Sequence, residues 1–269
     1  MKHLLWMSML ALMVLGCNTK SSSSEKGTET DEARELKTEV YEYNEDTRHY
    51  EASVSIEFPV GGDEELGDSV FAFIARNIKE QQAYEGGLDK YRNNGEELVE
   101  FFGKKISNDL KEGWMNYTDG DESTDDVLNE DIKFSLLEDN DNYLTYLYDY
   151  DCYYGDDDYM NKVGVTFLKD DCNRVTNEFL FKDPSSQKLL DLVVETLIEN
   201  YCRGENAFLE ESELENIEEL PAAPFYITKE GVAFIYRMYE VHWSLLEGVI
   251  PWNKVKKLLT DEAQALRQQ

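Results

Sequence analysis

An acidic segment between residues 119 and 130 carries oxygen atoms at the spacing of a cation-wrapping loop. Asp119, Asp121, Ser123, Asp125 and Glu130 fall at positions 1, 3, 5, 7 and 12 of an EF-hand-like pattern, which can surround calcium with carboxylate and hydroxyl oxygens. Thr124 stands where such a loop needs glycine, and no helix pair is legible on either side, so a solvated acidic turn is the competing reading. No other cofactor is implied. A second set of acids is electrostatic in character: Asp149, Asp151, Asp156, Asp157 and Asp158 gather around the end of one strand, where they could attract a cationic partner. Nucleophilic chemistry is poorly supplied. Ser185 and Lys188 match S-x-x-K, but they follow Asp183-Pro184, where serine is expected in a first helical turn. Beyond the first seventeen residues only His49 and His242 remain, with no H-E-x-x-H, G-x-S-x-G or Walker pattern, so the chain is expected not to be an enzyme.

The elements that position these residues read as strands in hairpins with a few helices. Tyr50, Ala52, Val54, Ile56 and Phe58 alternate with polar residues, which places them on one face of a strand ending at Pro59. Leu66, Val70, Phe73, Ile74 and Ile78 recur at helical spacing, as do Leu98, Phe101, Phe102, Ile106 and Leu110 in a second helix over 95–111. Strands over 132–137 and 143–154 join through Glu138-Asp139-Asn140-Asp141-Asn142, residues that tolerate turn conformations. In the second of these strands Leu144, Tyr146, Tyr148, Tyr150, Cys152 and Tyr154 share one parity. That aromatic ladder reads as the core face of an antiparallel sheet, with a ligand platform as the alternative. A further hairpin is expected over 163–168 and 175–181. Asp183-Pro184 then opens a helix bearing Leu190, Val193, Val194, Leu197, Ile198 and Tyr201, and a last hairpin over 225–228 and 232–239 precedes a short helix from Trp252 to Leu259. The fold class is α+β: an antiparallel sheet built from hairpins with a few packed helices, as one unit or two small subdomains.

The N-terminus bounds where this fold works. Lys2 and His3 precede an apolar run from Leu4 to Leu15, shorter than the ~20 residues of a spanning helix, and Gly16-Cys17 closes it. This reads as an export signal whose Cys17 becomes the lipidated first residue of the mature protein. Residues 18–40 are rich in Ser, Thr, Glu and Lys and read as a flexible tether, followed by a strand-helix subdomain over 41–126, an α+β domain over 127–260 and a tail over 261–269. The mature chain holds 57 acidic side chains against 25 basic ones, a formal charge of −32, which excludes nucleic acid and favours cationic partners. Disorder is excluded for most of it by 41% hydrophobic and 12% aromatic residues. Cys152, Cys172 and Cys202 permit one disulfide and one free thiol, and their spacing pairs none of them.

Phe225-Tyr226-Ile227-Thr228-Lys229-Glu230-Gly231-Val232-Ala233-Phe234-Ile235-Tyr236, with Tyr239-Glu240-Val241, Gly248 and Ile250-Pro251-Trp252, resembles the C-terminal domain of RsiV-like proteins. That family includes lysozyme-sensing anti-sigma factors, some polysaccharide deacetylases and Bacteroidetes lipoproteins of unknown function. The likeness extends back through 163–192 and 56–78. It departs from the family at Tyr154-Gly155-Asp156-Asp157-Asp158-Tyr159, which lacks the family's histidine turn, and at His242-Trp243. What the resemblance implies is a partner surface at these loops, adding Tyr154, Tyr239 and Glu240 to the aspartates. With the lipid anchor it implies an outer-membrane lipoprotein, facing the periplasm or the surface, that binds a cationic protein such as lysozyme or an envelope glycan. The alternative is an envelope glycan hydrolase or deacetylase using carboxylates.

Overall fold

The computed structural model describes residues 34–81, 84–118, 127–155, 157–203 and 207–266. Cys17 and the tether up to residue 33 lie outside the described residues, as do Asp119, Asp121, Ser123, Asp125 and Asp156.

Among the described residues, eight strands form two sheets. β1 (Leu36–Asp46), β2 (Tyr50–Gly62), β3 (Leu128–Asp139), β4 (Tyr143–Tyr154) and β5 (Asp157–Leu168) lie side by side in chain order. All neighbours are antiparallel except β2 and β3, which run parallel. A parallel pair needs a long crossover, here built from α1 (Glu64–Gln81) and α2 (Gly95–Tyr117). α1 starts where Asp63 Oδ1 accepts the Leu66 N–H at 2.9 Å, and Asn94 Oδ1 accepts the Glu97 N–H at the start of α2. The apolar stripes of both helices pack with Ala52, Val54, Ile56 and Phe58 of β2 and with Leu144, Tyr146, Tyr148, Tyr150 and Cys152 of β4 in one core.

β6 (Tyr226–Ile227), β7 (Gly231–Tyr236) and β8 (Leu246–Pro251) make a three-stranded antiparallel sheet. It is flanked by α3 (Asn177–Leu180), α4 (Gln187–Tyr201), α5 (Glu211–Leu214), α6 (Trp252–Val255) and α7 (Asp261–Ala265). Leu189, Val193 and Leu197 of α4 pack with Val232, Phe234, Leu246 and Ile250 in a second core. The two sheets meet along the opposite parity of β4 and β5. Thr145 Oγ1 donates to Ile227 O at 2.8 Å, the Ile227 N–H donates to Thr166 Oγ1 at 2.9 Å, and Leu147 packs with Tyr226, Ala233 and Ile235. Gly164 lets the Tyr226 ring lie against the strand. The aromatic ladder of β4 is therefore a core face, and its reverse side is a buried seam over half its length.

Several expectations need correction. β1 begins within the stretch read as tether to residue 40, because Leu36 to Asp46 pairs along β2 in continuous register apart from one irregularity at Lys37/Thr38. A division after residue 126 cuts one sheet, since β2 bonds to β3 across it. Residues 175–181 are not a hairpin strand: they contribute α3 and a single bridge at Phe181, and Arg174 just before them makes another. Asp183 turns the chain by accepting the Ser185 N–H at 3.2 Å, and α4 starts only at Gln187. The expected tail contains α7, which buries Ala263 completely. Cys152, Cys172 and Cys202 are free thiols. Among the described residues no helix is long and apolar enough to cross a membrane.

Candidate functional site

The outer face of the five-stranded sheet is covered by the second sheet only over part of β4 and β5. On the rest, β3, β4 and β5 present a row of charge. Cross-strand register sets Asp131 opposite Asp151, Lys133 opposite Asp149, and Asp149 opposite Lys162, with Asp158 beside them opposite Tyr153. This face and the start of β8 enclose a cleft of about 450 Å³ lined by Asp131, Lys133, Asp149, Asp151, Lys162 and Glu247.

The middle of the cleft is a tied network. Lys162 Nζ donates to Glu247 Oε2 at 2.8 Å and stands 3.7 Å from Asp149 Oδ1. Tyr226 Oη donates to the other oxygen of Glu247. The Glu247 backbone is held as well, its N–H donating to Tyr201 Oη at 2.9 Å and its carbonyl accepting from the same hydroxyl at 3.1 Å. Burial alone lowers the Lys162 pKa, but the hydrogen bond to Glu247 and the charges of Glu247 and Asp149 outweigh it, so the ammonium sits above its ordinary range. Asp149 is raised above the usual carboxylate range by burial, which Lys162 only partly offsets. Asp151 is raised by burial first and then by Asp158 and Asp131, so these three acids repel one another. A cation delivered to this face removes that repulsion.

Beside the cleft lies an exposed aromatic run. Tyr201 contacts Phe208 at 5.6 Å between ring centroids, Phe208 reaches His242 at 6.1 Å, and His242 reaches Trp243 at 5.0 Å. Phe208, Trp243 and Tyr239 are 54%, 63% and 73% exposed, an unusual display for rings this large. The loop carrying Tyr239 is fixed against β5, because the Met160 N–H donates to Met238 Sδ at 2.8 Å. Tyr239 itself holds φ at +66°, a conformation unusual for a non-glycine residue.

Of the eight residues expected to meet a partner, the structure gathers Asp149, Asp151 and Asp158 on one face, with Tyr239 on the adjoining loop. Tyr154 points the other way: its ring packs on the core and its hydroxyl donates to Glu130 at 3.0 Å. Glu240 is exposed but its carboxylate is engaged within the chain, accepting the Ala222 N–H at 2.7 Å and the Arg237 N–H at 2.9 Å. Asp157 shares Tyr154's position in the β4–β5 register, and nothing further is described of its side chain. Glu130, expected as a calcium ligand, is a residue of β3, 3% exposed and paired opposite Cys152. A strand residue facing the core is not the end of a cation loop, and no group of acidic, histidine or cysteine side chains among the described residues could hold a metal ion. Lys162, Glu247, Tyr201 and Phe208 were missed. Lys162 shares the outward parity of Met160, and Glu247 stands on the parity opposite buried Leu246, Gly248 and Ile250, so a weak signal is present for both.

Two solved structures share this fold. A DUF3298 family protein from Bacteroides fragilis matches with a TM-score of 0.59 and 18% identity, over 86% of this chain and 96% of that one. A DUF3298 family protein from Pseudomonas aeruginosa matches with a TM-score of 0.55 and 8% identity, over 87% and 97%. At these identities the likeness is one of fold, and it extends over nearly the whole of both relatives. No family model matches the chain, and no curated protein matches it.

Proposed function

We propose that this chain is an exported, lipid-anchored binding module, without enzymatic activity, that receives a cationic protein on the open half of its sheet. The observation that carries this reading is the meeting of Asp131, Asp149, Asp151 and Asp158 with the exposed rings of Phe208, Tyr239 and Trp243. Carboxylates bind lysine and arginine head groups, and exposed rings accept the same groups over their faces. The resemblance to RsiV-like proteins supports a lysozyme-type partner. Binding is favoured over hydrolysis or deacetylation because the best-placed carboxylate, Glu247, is already engaged by Tyr226 and Lys162.

The test sets local charge against general charge. Asp149→Asn, Asp151→Asn and Asp158→Asn together are expected to weaken lysozyme binding at least ~10-fold by calorimetry, because charge pairs that close at an interface are coupled. Glu215→Gln, Glu218→Gln and Glu219→Gln, exposed around the end of α5 and beyond, should change it less than ~2-fold, since screening over about 10 Å at 0.1 M salt removes distant effects. Equal loss from both sets, or no binding at that salt, would sink the idea. The anchor is tested separately. Acyl chains contribute about 0.8 kcal/mol per buried methylene, so Cys17→Ser is expected to move the protein from the membrane to the soluble fraction. Retention on membranes after a high-salt wash would remove lipidation from the reading.

A further inference from the structure

In a chain with 57 acids and 26 bases, an arginine whose guanidinium pairs with no acid runs against the odds. Two such arginines face the same recess. Arg76 on α1, Arg174 just past β5 and Arg237 just past β7 line a cavity of about 60 Å³ between the helical layer and the second sheet, together with Phe73, Asn77 and Glu80. Arg76 Nε donates to Glu80 Oε1 at 2.7 Å. Among the described residues, neither Arg174 nor Arg237 forms an ion pair, and Arg237 Nε is buried with no hydrogen-bond partner. Much of the Arg174 side chain reaches solvent. Packing around its guanidinium nevertheless lowers its pKa, and the charge of Arg76 lowers it further, so two like charges press on one small space.

We propose that this recess is a binding site for a doubly charged tetrahedral oxyanion, a phosphate or sulfate group, held between Arg76, Arg174 and Arg237. Three guanidinium groups against the single carboxylate of Glu80 leave two positive charges, the complement of such a dianion. The planar fork of each arginine suits two oxygens at once. The volume is far below the ~300 Å³ at which sites for drug-sized ligands begin, so only the anionic group itself enters. The rest of the surface is acidic and repels anions, so saturable phosphate binding has to come from these arginines and not from the general field.

The test is calorimetric titration of the full chain with inorganic phosphate, methyl phosphate and acetate at constant ionic strength. Saturable phosphate binding that weakens at least ~10-fold in Arg174→Gln, and is unchanged in Arg203→Gln, whose side chain pairs with Glu211, is the expected result. Methyl phosphate binding as tightly as phosphate assigns an esterified group, and binding of inorganic phosphate alone assigns the free ion; both support the site. Arg174 makes no side-chain bond that folding depends on among the described residues, so its variant should fold, and circular dichroism checks this. Absence of saturable binding, equal affinity in Arg174→Gln, or acetate binding as tightly as phosphate would overturn the assignment.

Discussion

A single methyl group at position 164 is expected to cost the fold about 2–3 kcal/mol, the upper range of overpacking penalties. On most strand positions glycine to alanine is neutral or stabilising, because glycine loses the most backbone freedom on folding. Here a Cβ would overlap Tyr226 Cδ1 and Cγ and stand 2.6 Å from Tyr226 Cβ. Neither side can retreat. Tyr226 is 3% exposed, its backbone pairs with β7 and its hydroxyl is bound to Glu247, while Gly164 is paired opposite Leu147 within the sheet. Urea unfolding of Gly164→Ala should show the loss as a lower midpoint at unchanged slope. Tyr226→Ala removes the ring, so in that background the cost of Gly164→Ala should shrink by at least ~1 kcal/mol, the coupling expected of residues in contact. A Gly164→Ala protein as stable as its parent would mean that the two sheets are not seated as described.

Glu247→Ala is expected to be nearly as damaging, at about 2–3 kcal/mol, because it leaves charged and polar partners behind and not merely a lost bond. Lys162, 22% exposed at its side chain, would keep only Asp149 at 3.7 Å, and the Tyr226 hydroxyl would lose its acceptor in the interior. Glu247→Gln keeps an oxygen for Tyr226 while removing the charge that Lys162 needs, so it should fall between alanine and the parent. Glu199→Ala is the matched control. It breaks the ion pair with Lys254, whose groups are 46% and 34% exposed, and surface pairs of that kind contribute at most about 1 kcal/mol. Equal losses from Glu247→Ala and Glu199→Ala in urea titrations would show that the cleft network does not hold the two sheets together.

The elements that could be read from the chain are those whose faces differ. β2, α1, α2 and β4 each have one side in the core and carry the periodicity that records it. β1 escaped notice because it is an edge strand: Glu39 and Glu45 share the face of half-buried Tyr41 and Tyr43, while the other face carries Glu42 and a Val40 that is 58% exposed, so its composition looks like the tether before it. The burial of Thr145 and Leu147 has no local cause. It comes from β6, some eighty residues further along, and short-range patterning cannot record a second layer. The candidate face was half legible for the same reason. Asp149, Asp151 and Asp158 were found because they crowd one hairpin, whereas Lys162, Glu247 and Tyr201 come from β5, β8 and α4 and meet only when the sheets dock. Glu240 and Tyr154 misled because residue type and loop position say nothing of which neighbour already claims a side chain.

The parallel pairing of β2 with β3 also fixes a waiting time. β1 and β2 close on each other across a short turn within microseconds, but the second edge of β2 has to wait for residues 63–127 to be made before β3 exists. At roughly 5–20 residues per second, synthesis leaves that edge open for seconds. During this interval Ala52, Val54, Ile56 and Phe58 have α1 as their first cover, and the bonding groups along β2 have nothing to pair with. The charges along β1 guard only the far side of the hairpin. Nascent chains short of Leu128 are thus the species most prone to stick to one another, and any factor that holds the nascent chain unfolded shields the strand that most needs it.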